Sequence, residues 1–329
     1  MTQTIVQYLT KRLYDLGVDD VFGVPGDYNF HLIEAVENHG KTNWIGCCNE
    51  LNAGYAADGY ARIKGMGAII TTFGVGELSA INAVAGSFAE SVPVIKLVGM
   101  PNKRAKDAGK IIHHCLGDAD YHIFCDVYSK VTAHSVILTK ENAQAEIEEA
   151  LSVAYHQKKP VYIGIYNDIC TCPIEITTGE FEIKTSSEAN LDSAIKHILE
   201  MAEGAKNPVI VSDHLILRYK LQKQLQSFIE KSGFSATALP MGKGSIDETL
   251  PNYIGVFCGS LLSEEIGKFM ENADFSIGFG VMLTDFNTGG YSSNVNDTTF
   301  VDVQNNYVKT CVLKFYNRMT SNKSRSTCN

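Results

Sequence analysis

The strongest constraint on how this chain folds is a repeated exchange of two periodicities. Residues 21–24, 44–48, 67–72, 94–98 and 161–166 are short apolar runs bounded by turn or polar residues, the pattern of strands covered on both faces. Stretches of helical spacing stand between them. Ile5, Leu9, Leu13 and Leu16 lead into Gly17, and Phe30, Leu32, Ile33 and Val36 follow the turn Pro25-Gly26. Residues 49–62, 77–91 and 141–157 continue the series, the last with an acidic run of Glu146, Glu148 and Glu149 that reads as a solvated face. Strands that alternate with helices build a parallel sheet with helices on both sides.

The pattern repeats after residues 168–188, where Cys, Thr, Pro, Gly and Ser replace periodicity and mark a linker. Beyond it the alternation predicts helix 191–203, strand 209–211, helix 219–232, strand 235–239, helix 264–272 and strand 275–280. A length of 329 residues suits about two domains. The expected fold is α/β, two doubly wound parallel-sheet domains over residues 1–180 and 188–309. The polar stretch 310–329 reads on composition as a disordered tail.

A formal charge of −9 with dispersed Lys and Arg argues against a nucleic-acid partner. No apolar run approaches a membrane span, and the first residues lack a basic and apolar leader. The expectation is a cytoplasmic protein without membrane or nucleic-acid partners. Nine cysteines occur without any C-x-x-C spacing, so they are expected as buried thiols packing like small hydrophobes and not as a zinc or disulfide framework.

Several chemical groups fall where predicted strands hand over to helices, the edge at which open α/β sheets bind ligands. Glu50 opens the helix of residues 49–62, with Asn49 as its cap; the alternative is an acid that serves only the helix dipole. That helix is rich in Ala and Gly, which lets another backbone or a cofactor approach closely. Asp27 sits before the next helix and is either a ligand-edge acid or an ordinary cap. Gly74-Val75-Gly76 invites a dinucleotide reading, but Ser79 stands where a third Gly belongs. Residues 100–126 form a long stretch without periodicity that holds His113, His114 and His122. Adjacent histidines do not face one metal from a helix as an i, i+4 pair does, so proton transfer suits them better. Met241-Gly242-Lys243-Gly244-Ser245 fails the phosphate-loop pattern at Thr237 and Gly244, leaving Lys243 in a structural turn.

Taken in order, Phe-Gly-Val-Pro-Gly-Asp-Tyr-Asn (22–29), Asn-Glu-Leu-Asn-Ala-Gly-Tyr-Ala-Ala-Asp-Gly-Tyr-Ala-Arg (49–62), Thr-Thr-Phe-Gly-Val-Gly-Glu-Leu-Ser-Ala (71–80), His-His-Cys-Leu-Gly-Asp (113–118) and Met-Gly-Lys-Gly-Ser-Ile-Asp-Glu (241–248) resemble the thiamine-diphosphate-dependent 2-oxo-acid decarboxylases, in their pyruvate and indolepyruvate decarboxylase branch. The resemblance implies three α/β domains, of which the first, pyrimidine-binding domain and the central domain are matched. The third, which in the family holds the cofactor diphosphate through Mg²⁺, is marked by Gly-Asp-Gly, absent from this sequence. The expectation is a partial chain whose Mg²⁺ ligands lie elsewhere. The implied reaction is non-oxidative decarboxylation of a 2-oxo acid to an aldehyde and CO₂; the alternative is an inactive two-domain remnant that associates with a full-length homologue.

By the same resemblance Glu50 hydrogen-bonds a ring nitrogen of the cofactor's aminopyrimidine and promotes the tautomer that activates the thiazolium carbon. Burial of that carboxylate would favour the role. Asp27, His113 and His114 would manage protons, Asp27 and His114 also touching substrate. Pro25, Thr72 and Val75 would touch the pyrimidine. The cofactor would lie between subunits of a homo-oligomer, and Leu215 stands where the family places an activating cysteine.

Overall fold

The computed structural model describes residues 3–176, 179–293 and 295–310. The chain divides into two units, Met1–Lys184 and Thr185–Asn329, each organised around a six-stranded sheet. Apart from Thr310, which ends a strand, the stretch expected as a disordered tail lies outside the described residues.

The first unit runs α1 (Ile5–Asp15), β1 (Asp20–Gly23), α2 (Phe30–Asn38), β2 (Asn43–Gly46), α3 (Glu50–Lys64), β3 (Gly67–Thr72), α4 (Val75–Ala89), β4 (Val94–Met100), α5 (Lys103–Asp107), α6 (Ile123–Tyr128), β5 (His134–Leu138), α7 (Ala143–Gln157), β6 (Val161–Tyr166) and α8 (Asn167–Cys170). Its sheet is ordered β2-β1-β3-β4-β6-β5, and every pairing is parallel. Every residue of β3, β4 and β6 is buried, as expected of central strands between two helical layers. On α1, Thr4 and Gln7 form a capping box, and Ile5, Leu9 and Leu13 are wholly buried. Ala53, Ala57 and Ala61 of α3 share a small-residue core with Ala80 of α4, Ile69 and Val94. The small side chains of α3 therefore bring α4 close.

Four readings of this half need correction. The run 44–48 is not a buried strand: β2 is the outermost strand, and its residues are exposed or half-exposed. The acidic run on α7 is not uniformly solvated. Glu148 is buried and receives both Arg12 Nε at 2.8 Å and Tyr8 OH at 2.8 Å, with the Phe181 main-chain N–H also at 2.8 Å. The stretch 100–126 contains α5 and the start of α6, and Asp168 supplies the acceptor for Lys103 N at the head of α5. The linker begins later than its composition predicts. Residues 167–170 are helical, Ile174 N donates to Gln3 O, and Phe181 is held by Glu148.

The second unit runs α9 (Glu188–Ala202), β7 (Pro208–Ser212), α10 (His214–Arg218), α11 (Gln222–Ser232), β8 (Ser235–Ala238), β9 (Tyr253–Val256), α12 (Glu264–Glu271), β10 (Phe275–Phe279), β11 (Phe300–Val303) and β12 (Val308–Thr310). Its sheet is ordered β12-β11-β10-β7-β8-β9, with only the β11–β12 edge antiparallel. Both units are doubly wound α/β folds. Strands β5, β9 and β12 escape the sequence reading because they lie at sheet edges, where burial is incomplete, and β11 because Asp302 interrupts its short apolar run. Among the described cysteines, Cys170 and Cys258 are buried, whereas Cys48 is exposed and the others are half-exposed, so the expectation of buried thiols holds for two of them.

Candidate functional site

In the first sheet the chain winds outward from β1 to β2 and, in the other direction, from β3 to β4. The crevice at the carboxyl ends of β1 and β3 is thus the topological switch point. After β1 the turn is tied by Asn29, fully buried, whose Oδ1 accepts from Gly26 N at 2.9 Å and whose Nδ2 donates to Val24 O at 2.9 Å. Asn29 occupies the cap position of α2. Asp27 is therefore not the helix cap, and its carboxylate instead meets His113 Nε2 at 2.6 Å.

His113 is also joined at Nδ1 to Tyr28 OH, 3.0 Å away. The Tyr28 hydroxyl both donates and accepts, so His113 keeps both partners whether neutral or charged. Burial, then the Asp27 charge, pushes the Tyr28 phenol up to about 12, so it stays protonated at neutrality. His114 adopts a left-handed backbone, φ 69°, and its ring stands 4.5 Å centroid to centroid from His113, with Nε2 3.9 Å from Asp27 Oδ1. One ligand atom from each of Asp27, His113 and His114 lies within 4.8 Å of the others. The argument that neighbouring histidines cannot converge fails here, because the pair sits on a left-handed turn and not on a helix. Both His113 nitrogens are nevertheless already engaged.

A second group closes the crevice from the other side. Asn49 caps α3 by accepting from Leu51 N at 2.8 Å, which leaves Glu50 at the first helical position and half-buried, less enclosed than its expected role would favour. A Cβ at Gly76 would stand 3.1 Å from Glu50 Oε1 and 3.0 Å from Thr72 Cγ2, a tight fit that glycine avoids, which keeps this cradle open. Thr72 is buried, it lies against Gly26, and its Oγ1 has no partner. Gly74 has φ 68°, and a side chain there would strike the His114 carbonyl oxygen at 2.0 Å. The loops after β1, β2, β3 and β4 thus form one ring of contacts. Pro25 and Val75 both lie exposed on that edge. Sequence reasoning missed Tyr28 and Glu77; both stand inside the motifs at 22–29 and 71–80, but nothing in their spacing marks them.

Residues 3–121 match the thiamine pyrophosphate enzyme N-terminal TPP binding domain, and residues 195–311 match the thiamine pyrophosphate enzyme central domain. The chain carries two thiamine pyrophosphate enzyme domains. A Schizosaccharomyces pombe protein provisionally named pyruvate decarboxylase is 42% identical over 310 residues, 92% of this chain and 54% of its own length. The pyruvate decarboxylase of Aspergillus terreus is 37% identical over 310 residues, 93% of this chain and 54% of its own. Pyruvate decarboxylase isozyme 1 of Saccharomyces cerevisiae is 38% identical over 311 residues, 93% and 55%. The chain spans about half the length of the relatives it matches.

In the thiamine pyrophosphate enzyme N-terminal domain, the unpartnered Thr72 hydroxyl and the glycine cradle beside Glu50 are the features that fit a flat, hydrogen-bonding ring. The central domain offers less chemistry. Lys243 pairs with Glu248 at 2.6 Å after the 3₁₀ turn Pro240–Gly242, in keeping with a structural turn. An apolar cavity at the carboxyl edge of its sheet is lined by Val211, Phe257, Met270, Val281 and Phe300, and the side chains of Asn287 and Thr288 on its wall are already engaged. Leu215 packs against Gly280.

Proposed function

We propose that this chain supplies the pyrimidine-binding half of a thiamine diphosphate site in a 2-oxo-acid decarboxylase, with pyruvate as the substrate type named by its relatives. The observation that carries the reading is the buried, unpartnered Thr72 hydroxyl beside the Gly76 cradle and the Glu50 carboxylate. Glu50 would orient the aminopyrimidine and exchange a proton with it, Thr72 would hydrogen-bond it, and Pro25 and Val75 would border it. Bound there, thiamine diphosphate supplies the nucleophilic carbon and the electron sink that decarboxylation requires. Mg²⁺ would accompany its diphosphate.

Asp27 and His113, 2.6 Å apart, would carry a proton to and from the substrate side, with His114 completing the polar wall and Asp27 and His114 touching the 2-oxo acid. Tyr28 would hold the His113 ring through either charge state. Tyr55, Leu78 and Val75 of α3 and α4 are exposed, which supports association with a second copy or a full-length homologue across this face. A cytoplasmic location goes with the reading.

The test is Glu50→Gln in a chimera that appends the remaining length of a pyruvate decarboxylase relative. Loss of the acid–base contribution predicts a rate reduction of about 10² to 10⁴. Pyruvate decarboxylation within a few-fold of the unsubstituted chimera would refute the assignment.

A further inference from the structure

Beneath the crevice lies a group of ionisable side chains that the proposed chemistry does not use. Glu77, in the first turn of α4, is fully buried. Its Oε1 accepts from Gly74 N at 2.7 Å, and its Oε2 accepts from Tyr162 OH on β6 at 2.9 Å. Tyr128 of α6, also buried, donates its hydroxyl to the Glu77 main-chain carbonyl. Lys96, at the middle of β4 and fully buried, donates to Thr71 Oγ1 and to Leu97 O. A carboxylate is costly to bury unless its oxygens are satisfied and a counter-charge stands nearby. Here the oxygens are satisfied by a main-chain N–H and a phenol.

The N–H that Glu77 holds belongs to the residue on which the site turns. Gly74 is in the left-handed region, and its Cα backs directly onto the main-chain carbonyl of His114, itself left-handed. Phe124 of α6 closes the same contact. Val75 and the Gly76 cradle follow within two residues. Moving the Gly74 peptide therefore moves the support of His114 and the wall facing Glu50 and Thr72 together.

We propose that Glu77 is a positioning residue: its buried carboxylate, steadied by Tyr162, clamps the Gly74 main chain and so fixes His114 and the Val75–Gly76 edge of the site. The proposal rests on the reading of that site as a cofactor crevice, but its test does not. Burial pushes the Glu77 carboxyl up to about 7 against the pull of Lys96, then Gly74 N–H and Tyr162. Burial likewise pushes the Lys96 ammonium down to about 7, opposed by Glu77 and then by Glu50. The ionisable groups around Glu77 are thus Lys96 on β4, Tyr162 on β6, Tyr128 and Cys125 on α6, and, through Lys96, Glu50 on α3.

The experiment is NMR on the 329-residue chain without cofactor. In the unsubstituted chain the Gly74 amide shift and the Glu77 carboxyl shift should titrate together. In Glu77→Ala the Gly74 amide should exchange with solvent about tenfold faster or more, as expected for loss of a hydrogen bond to a charged group, and the His114 main-chain resonances should move. Glu77→Gln keeps an acceptor for Gly74, so exchange should stay within about threefold of the unsubstituted chain while the pH response of the Gly74 amide disappears. Gly74 exchange and His114 main-chain resonances unchanged in Glu77→Ala would overturn the proposal. If that variant does not fold, a Gly74 amide that ignores the Glu77 titration in the unsubstituted chain, or that keeps its pH response in Glu77→Gln, overturns it equally. Failure of the Glu50 experiment would leave these outcomes untouched, since none involves thiamine diphosphate.

Discussion

At the residue scale, the site depends on where two neighbouring histidines point. An ordinary helical or extended backbone would send their rings apart, and the left-handed φ of His114 brings them to 4.5 Å. His113 bridges Asp27 and Tyr28, so each ring nitrogen has a partner in both protonation states, as the proton transfer proposed for it would need. We expect replacement of both His113 and His114 by Phe to slow aldehyde release in the chimera by about 10² or more while leaving metal content unchanged. Stoichiometric zinc that is lost in the double variant would favour ligation instead, for which the 4.8 Å grouping with Asp27 leaves room.

At the element scale, α1 and α7 are joined by a buried ion pair that the sequence conceals. Arg12 and Glu148 are 136 residues apart, and each looks like one more charge on an amphipathic helix. In the fold Arg12 reaches Glu148 through Nε at 2.8 Å and Nη2 at 3.1 Å, with Tyr8 and Phe181 N completing the shell. Burial pushes the Glu148 carboxyl up, but Arg12, the Phe181 N–H and Tyr8 outweigh it and hold the group below the ordinary carboxylate range. Because the folded value lies below the unfolded one, this stabilisation is full above the unfolded value of about 4.3 and disappears as pH falls through the folded value. Glu148→Ala leaves the buried Arg12 with its Nη1 contacts to Asp15 at 3.4 Å and to the exposed Glu180 at 3.0 Å, and should cost about 3 kcal/mol at neutral pH, the low end for a broken buried pair. The variant's stability should also fall less steeply than the unsubstituted chain's on acidification. Urea unfolding at neutral and acid pH measures both; a cost under about 1 kcal/mol would show the pair to be incidental.

At the scale of the whole molecule, each unit uses the same device, a doubly wound sheet with a crevice at its switch point; the first lines that crevice with Asp27, Glu50, His113 and His114, whereas the second buries Asp213 and His214 there against its own main chain. No helix among the described residues is long and apolar enough to cross a membrane. The hydrogen bonds that Glu50, Thr72 and nearby main chain can offer a cofactor net about 1 kcal/mol each, whereas micromolar affinity requires roughly 8 kcal/mol. The 329-residue chain by itself should therefore bind thiamine diphosphate with Mg²⁺ more weakly than roughly 10 μM and should not turn over pyruvate. Calorimetric titration and an acetaldehyde assay check this. Tighter binding would mean that these two domains hold more of the cofactor than Glu50 and Thr72 account for.

What the sequence by itself determined was the alternation of strands and helices and the order of the residues at the strand ends. The central strands β3, β4 and β6 are mostly apolar because both faces are covered, Lys96 and the threonines that end β3 excepted, and that signal is local, as is the cap that Asn49 gives α3. The motifs around Asp27, Glu50, Thr72 and His113-His114 were legible for the same reason, since each lies within one turn. What only the tertiary structure decided were relations between distant segments. These are the edge position of β2, the burial of Glu148 by Arg12, the holding of residues 167–176 and Phe181 by the first unit, and the packing of Gly74, which Glu77 grips, against His114. A charge in a sequence carries no mark of whether water or a partner from another element will face it. Burial and counter-charge are properties of the packed fold, and they turn an ordinary helix-capping glutamate into a support for the site.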